Sequence, residues 1–232
     1  MPDFYDDDAR LTAPRLLALG LTTALVALLA AIILTTPSGL ERLNLIARER
    51  LAESGVGNPV TAVLLNFRGY DTLLEVAVLL LAVVGIWSMA RYARVWIKLP
   101  DTPVLTAFVR LVLPLMVLVA GYLLWLGADA PGGAFQGGAV LGGMGILWIA
   151  AAVWLPGFRL QQFARVMLVL GLIAFVGASA LLLLLEGSFM DYPAGEAKNW
   201  ILVIESAATI SIGMTLTMLF VGGVPQSKEE AA

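Results

Sequence analysis

The sequence predicts an all-α, polytopic membrane protein with about six transmembrane helices plus one interfacial amphipathic helix. Of its 232 residues, 60% are hydrophobic and only 13% are charged, and the mean hydropathy is +0.91. A soluble domain has roughly 45–50% apolar and about 25% charged residues. Because this chain has too few charges to cover a water-exposed surface, we expect lipid to cover most of it.

Six mostly apolar runs are long enough to cross the hydrocarbon core of a bilayer, which is about 30 Å thick and needs ~20 helical residues. The first run follows the acidic stretch 1–15, whereas a secretory signal begins with basic residues. We therefore expect this run to remain in the protein as a helix. The predicted transmembrane helices are Leu16–Thr35, Thr72–Ala90, Val104–Leu126, Phe135–Leu155, Val166–Leu185 and Trp200–Val221.

The long connection after the first run contains an amphipathic segment. Ser38 is placed to cap a helix there, with charged residues largely on one side and apolar residues on the other. Such a helix is too polar to span the bilayer and is predicted to lie in the membrane interface. The same pattern fits equally well a solvated connector that packs on a partner protein. The apolar positions are Leu40, Leu43, Ala47 and Leu51.

Connection lengths and basic residues predict the topology. Only Gly127–Ala134 separates the third run from the fourth, and only Pro156–Ala164 separates the fourth from the fifth, so these helices are antiparallel neighbours. Six spans place nine Lys and Arg residues on one side of the membrane and five on the other. Because cytoplasmic connections retain positive charge, both termini are predicted to be cytoplasmic.

The sequence contains no Cys and no His. This excludes thiolate and imidazole metal ligands, disulfides, and Cys or His nucleophiles within the chain. We predict no cofactor and no tightly bound metal. A net charge of −3, without a basic cluster, predicts no nucleic-acid partner. Proton or ion chemistry would therefore use carboxylates, hydroxyls, backbone groups and water.

Two acidic residues lie within predicted spans. Glu75 is about one turn inside the second span, and Glu205 is a little over one turn inside the sixth. A charged carboxylate in hydrocarbon costs several kcal/mol unless it is paired or hydrated. Each is therefore a candidate for binding and releasing a proton or cation, or else a structural carboxylate paired with a basic residue or reaching the headgroups.

Asp71 and Glu75 are four residues apart and share a helix face if the helix begins near Tyr70. Asp71 suits a helix start, where it can accept free backbone N–H groups. Arg68 is close enough to offset one of the two charges. This cluster either gathers cations at the membrane boundary or fixes the depth of the helix.

Arg110 lies early in the third span, about two turns from the polar connection. Its guanidinium is expected either to reach back to lipid phosphates or to pair with a buried carboxylate of another helix or subunit. Both alternatives remain open from the sequence.

The turn between the third and fourth spans is rich in Gly and contains Pro131. Gly132 and Gly133 are predicted to be needed for this tight bend. The glycines that follow within the fourth span permit close contact between helices. A phosphate-binding loop is excluded because the Lys-Ser/Thr pair and the strand–turn–helix setting of such loops are lacking. These later glycines are Gly137, Gly138, Gly142, Gly143 and Gly145.

Residues from about Val60 to Ile86 resemble the C-terminal membrane region of the large A subunit of multisubunit Na⁺/H⁺ antiporters of the multiple-resistance-and-pH (Mrp) type. The same unit occurs as a small separate subunit of membrane-bound hydrogenases. The resemblance rests on Asn66-Phe67-Arg68-Gly69-Tyr70-Asp71-Thr72 and Glu75. It implies that Asp71 and Glu75 occupy acidic positions of that family.

Residues from about Val104 to Val224 resemble the B subunit of the same antiporters, a four-helix protein with a Pro-Gly-Gly-Gly-Phe-type turn. In the family's last helix an acidic residue precedes a Leu-Gly or Ile-Gly pair. In this sequence Ser211 precedes the pair Ile212-Gly213, and the acidic residue Glu205 lies about two turns earlier. The turn itself is matched by Pro131, Gly132, Gly133 and Phe135, with Ala134 in place of the third glycine.

The two resemblances imply a fusion of two modules. An acidic tail, residues 1–15, precedes the A-subunit-like or hydrogenase-E-like module at 16–100, and the B-subunit-like module at 101–224 precedes a C-terminal tail at 225–232. The implied function is that of a membrane subunit of a Na⁺/H⁺ antiporter in a prokaryotic inner membrane, without covalent chemistry of its own. Its implied partners are other hydrophobic subunits, membrane lipid, and Na⁺ and H⁺ as transported ions.

Two other functions fit the same sequence. The chain can be an ion-translocating subunit of a redox-driven complex, such as a membrane-bound hydrogenase or a relative of respiratory complex I. It can also be a scaffold whose acidic residues are paired internally. Under the antiporter hypothesis, Glu75 binds the ion, Asp71 recruits charge at its entrance and Glu205 contributes to the path.

Overall fold

The computed structural model describes residues 13–35, 40–89, 102–151, 160–193 and 195–221, and within these ranges the regular structure is entirely helical. This confirms the predicted all-α fold. A 3₁₀ turn at Leu51–Ser54 and a π turn at Val63–Phe67 flank a short helix at Pro59–Ala62. The helices are α1 Ala13–Thr35, α2 Leu40–Glu49, α3 Pro59–Ala62, α4 Gly69–Met89, α5 Pro103–Leu126, α6 Ala134–Ala150, α7 Leu160–Glu186 and α8 Ala197–Val221.

Each of the six predicted transmembrane runs corresponds to a helix. Four helices in the described ranges, α4, α5, α7 and α8, are both long and apolar enough to cross a membrane. The other two predicted spans correspond to α1, a helix of 23 residues, and to the shorter apolar helix α6, Ala134–Ala150. The fourth predicted span continued to Leu155, and its last residues lie outside the described part of the chain.

The chain divides into two compact units, Met1–Ile46 and Ala47–Ala232. In the first unit, α1 is an apolar helix whose described side chains are exposed, as expected for a helix in contact with lipid. The predicted amphipathic helix is present as α2, which extends to Glu49. Its predicted cap, Ser38, lies outside the described residues.

In the second unit, α8 is the central helix and packs against α4, α5, α6 and α7. Within its apolar stretch 67% of the residues are buried, against 11% in α5. The glycines of α6 allow this close packing, as predicted. A Cβ atom on Gly138 would lie 2.7 Å from Cγ2 of Ile212, and one on Gly142 would lie 2.8 Å from Cβ of Leu216.

An irregular segment leads into α4, where the sequence predicted only a connector. Asn58 caps α3 by accepting a hydrogen bond from the backbone N–H of Val60 at 3.1 Å, and Pro59 occupies the first helical position. The π turn follows, and Thr72 Oγ1 donates to the carbonyl oxygen of Leu64 at 2.7 Å. Helix α4 begins at Gly69, one residue before the start near Tyr70 that would place Asp71 and Glu75 on one face, and three residues before the apolar run at Thr72.

Candidate functional site

A cavity of about 290 Å³ lies among α3, α4, α6, α7 and α8 in the second unit. Both intramembrane carboxylates singled out from the sequence, Glu75 and Glu205, line it. Its other polar lining comes from Thr61, Thr72 and Gln136. The apolar lining includes Val76, Phe135, Phe175, Ile204 and Ile212.

Glu205 lies in the third turn of α8 and is only 5% exposed. Its Oε1 atom accepts a hydrogen bond from the backbone N–H of Ala134, the first residue of α6, at 3.3 Å. Because α6 has no side-chain cap of its own, Glu205 supplies one from another helix. Its Oε2 atom is buried without a hydrogen-bond partner in the described part of the chain. One carboxylate oxygen is thus hydrogen-bonded, and the other is buried without a partner among the described residues.

The glycines of the α5–α6 turn make this contact possible. Gly133 has a φ of 110°, a conformation that L side chains rarely adopt. A Cβ atom there would lie 2.7 Å from Glu205 Oε1, and one on Gly132 would collide with the carbonyl oxygen of Leu123. Gly132 and Phe135 line the cavity, and Pro131 is exposed in the same turn.

The opposite side of the turn is held by the segment before α4. Asn58 Nδ2 donates to the carbonyl oxygens of Gly127 and Ala130, both at 2.9 Å, and Thr61 Oγ1 donates to that of Gly127 at 2.5 Å. The same turn is also joined to α8 by an exposed ion pair, in which Lys198 Nζ lies 2.6 Å from Asp129 Oδ2. We call Asn58 and Thr61 with their carbonyl partners the turn clasp.

Sequence reasoning missed the clasp and Gln136. The only local signal was Asn58-Pro59, a combination typical of a helix start, which predicts α3 without indicating what Asn58 contacts.

Glu75 lies in the second turn of α4 and is exposed at the open side of the cavity. No side chain in the described ranges forms an ion pair or hydrogen bond with it. Arg68 is engaged elsewhere, because its Nη2 atom lies 2.5 Å from Oδ2 of Asp71. Asp71 and Arg68 are exposed at the start of α4 and do not line the cavity.

Arg110 is exposed on α5 and away from the cavity lining. Among the described residues it makes no ion pair. Both alternatives for Arg110, reaching back to lipid phosphates and pairing with a carboxylate of another subunit, therefore stay predictions.

Tyr192, in the loop between α7 and α8, donates a hydrogen bond to the carbonyl oxygen of Leu65 at 2.8 Å. Burial raises the pKa of Tyr192 well above its usual value, and the negative charge of Glu205 raises it further. The phenol therefore stays protonated and joins the α7–α8 loop to the π turn.

The described residues contain no group of three or more His, Cys, Asp or Glu side chains that could hold a metal ion. The cavity instead offers two carboxylates, an amide and two hydroxyls, which are oxygen donors of the kind that bind hard cations. Its volume accommodates several water molecules. The arrangement is suited to binding a hydrated or partly dehydrated small cation, or to passing protons through water.

Two families match the chain. One, described as a domain related to the MnhB subunit of Na⁺/H⁺ antiporters, matches residues 104–225. The other, described as the E subunit of MBH, or MbhE, matches residues 10–100. No curated protein sequence matches the chain.

Two solved structures are similar to it. One belongs to the membrane-bound sulfane sulfur reductase, an archaeal respiratory membrane complex, with 25% identity and a TM-score of 0.64 over 91% of this chain and 98% of that chain. The other belongs to the Mrp complex from Dietzia sp. DQ12-45-1b, with 22% identity and a TM-score of 0.59 over 94% of this chain. This chain covers only 27% of the Mrp complex chain, which is longer, and the similarity between the two is one of fold.

Proposed function

Because the chain belongs to the family of the domain related to the MnhB subunit of Na⁺/H⁺ antiporters, we propose that it contributes to the exchange of a monovalent cation, such as Na⁺, for protons. It is a multi-pass membrane subunit of an Mrp-type antiporter-family complex, and so a transporter subunit rather than an enzyme. Other membrane subunits are its partners. We further propose a prokaryotic inner membrane with both termini on the cytoplasmic side.

The observation that supports an exchange role is that Glu75 and Glu205 line one cavity. Exchange requires groups that bind a cation in one state and a proton in another, and carboxylates sharing a hydrated space can do both. The buried Oε2 atom of Glu205 has no partner among the described residues, so a cation or proton bound there would satisfy it.

The two carboxylates have different proposed roles. Glu75, at the open side of the cavity, binds the incoming ion. Glu205, fixed at the N-terminus of α6, supplies the second, more deeply buried position. Asp71 recruits cations near the start of α4, and a cation arriving there must compete with Arg68 for its carboxylate.

A second candidate function is ion translocation within a redox-driven complex. The observation favouring it is that this chain covers 98% of the similar chain of the archaeal sulfane sulfur reductase but only 27% of the similar chain of the Mrp complex, so it matches the former over nearly its whole length. The same cavity would then carry ions driven by electron transfer in partner subunits. Purification of the native complex separates the two, because iron–sulfur proteins would accompany the chain only in the second case.

The exchange role is tested with Glu75→Gln in the assembled complex. Na⁺-induced collapse of a pH gradient is followed in inverted membrane vesicles, and assembly is verified by size-exclusion chromatography. We expect the variant to assemble and to lose most exchange, because an amide cannot take up or release a proton. Glu186→Gln, the same change at the exposed end of α7, is the matched control and should retain exchange. Normal exchange by assembled Glu75→Gln would refute the role of Glu75.

A further inference from the structure

One face of α4 is exposed along most of the helix. Leu74, Val78 and Leu81 are 61%, 62% and 66% exposed, and Asp71 and Glu75 lie on the same side. Their spacing of three and four residues defines a single stripe, which we call the α4 face. The opposite side of the helix is buried against α7 and α8, where Val76 and Val83 are 2% and 1% exposed.

The position of Glu75 on this face is unfavourable for contact with lipid. It follows the start of α4 by six residues, or about 9 Å of helix, within a helix that is otherwise apolar. A carboxylate exposed to hydrocarbon at this depth costs several kcal/mol, so such groups face protein or water. The apolar members of the face would tolerate lipid, but Glu75 would not.

The described part of the chain supplies no counter-charge for Glu75. The cavity lining contains two carboxylates and neither Lys nor Arg. Two cations of the same unit, Arg68 and Lys198, are already paired with Asp71 and Asp129. Helix α1 carries no charged residue between Leu16 and Thr35.

We propose that the α4 face is covered by a transmembrane helix of another subunit that carries a Lys or Arg within one turn of the depth of Glu75. Leu74, Val78 and Leu81 supply the apolar contact, and Glu75 supplies the charge that selects a basic partner helix. Gly85 continues the same face, and a Cβ atom there would meet nothing within 4 Å, so a partner backbone can approach closely. The proposal rests on assembly of the chain with other membrane subunits and is independent of a transport role for Glu75.

The absence of cysteine from the sequence makes site-specific cross-linking direct. Leu74→Cys and Val78→Cys are introduced separately into the full chain, and the assembled complex in native membranes is labelled with a maleimide–benzophenone reagent and irradiated. Leu118→Cys is the matched control, because it is a 68% exposed apolar position on a different helix, α5. Linked peptides are identified by mass spectrometry.

We expect both variants to link to the same transmembrane helix of one other subunit, with a Lys or Arg in the linked region, and Leu118→Cys not to link to that helix. Links to lipid alone, to residues 1–50 of this chain, or to a helix without a basic residue would overturn the proposal. Equal linking from Leu118→Cys would also overturn it. Cross-linking in a Glu75→Gln background separates the two proposals. Exchange retained with the link lost would refute the ion-binding role of Glu75 alone, whereas exchange lost with an intact link to a helix without Lys or Arg would refute the basic partner helix alone.

Reversal of the charge at Glu75 is the second test. Glu75→Lys is expected to lose the link and the assembled complex through repulsion of like charges. Replacing the identified basic residue of the partner with Glu should restore both. Assembly of Glu75→Lys at the normal level would contradict a basic partner at this position.

Discussion

The Oε1 atom of Glu205 accepts a hydrogen bond from the backbone N–H of Ala134 at 3.3 Å, so a carboxylate on α8 caps the first turn of α6. The same side chain lines the cavity that contains Glu75. Ionisation of Glu205 therefore affects two things together, the stability of the α6 start and the charge inside the cavity. This double role means that stability and transport must be measured separately for any substitution at Glu205.

Glu205→Gln and Glu205→Ala should differ in stability, but both should reduce transport. The amide oxygen of Gln can still accept from Ala134, whereas Ala leaves the start of α6 uncapped, so we expect Ala to lose about 1–2 kcal/mol and Gln clearly less. Both remove the titratable group and should reduce exchange. Thermal unfolding of the purified complex in detergent measures the first effect and vesicle exchange the second. Equal stability of the two variants would exclude the capping role.

Gly133→Ala should destabilise the protein by about 1–3 kcal/mol. The φ of 110° is unfavourable for alanine, and the added Cβ would lie 2.7 Å from Glu205 Oε1. Gly121→Ala is the matched control, because its Cβ would meet nothing within 4 Å on the surface of α5. The melting temperature is compared for both variants. A normal value for Gly133→Ala would show that the turn does not need glycine there.

Asn58→Ala tests the turn clasp. It removes the buried hydrogen bond to Gly127, the partly buried one to Ala130 and the cap on α3, so we expect a loss of about 2–4 kcal/mol and earlier proteolysis of the α5–α6 turn. Lys198→Ala breaks the exposed ion pair on the same turn and should change stability by only about 0–1 kcal/mol. If the two variants lose equal stability, the clasp is not the main support of the turn.

The existence of the helices was predictable because hydropathy over some twenty residues is a local property. The six runs correspond to α1 and to α4 through α8, and the glycines of α6 correctly indicated close packing. The irregular start of α4 was not predictable, since the π turn at Val63–Phe67 depends on contacts such as that of Tyr192 with Leu65, 127 positions apart.

The candidate site was only partly accessible to sequence reasoning. Glu75 and Glu205 were identified individually, because an acidic residue in an apolar run is conspicuous. Their convergence on one cavity depends on the packing of α4 against α8, which no local pattern specifies. The contact of Asn58 with Gly127, across 69 positions, is equally non-local, and its main-chain acceptor carries no sequence signal.

We propose that Glu75 and Glu205 act on ions in one shared cavity. We would measure Na⁺-dependent exchange, as a function of Na⁺ concentration, for Glu75→Gln, Glu205→Gln and the double variant in assembled complexes. Two groups serving one site are strongly non-additive, so the double variant should be no worse than the more impaired single variant. If the fold-loss of exchange in the double variant equals the product of the fold-losses in the two single variants, the two residues act independently, and this result would contradict a shared cavity as the site of exchange.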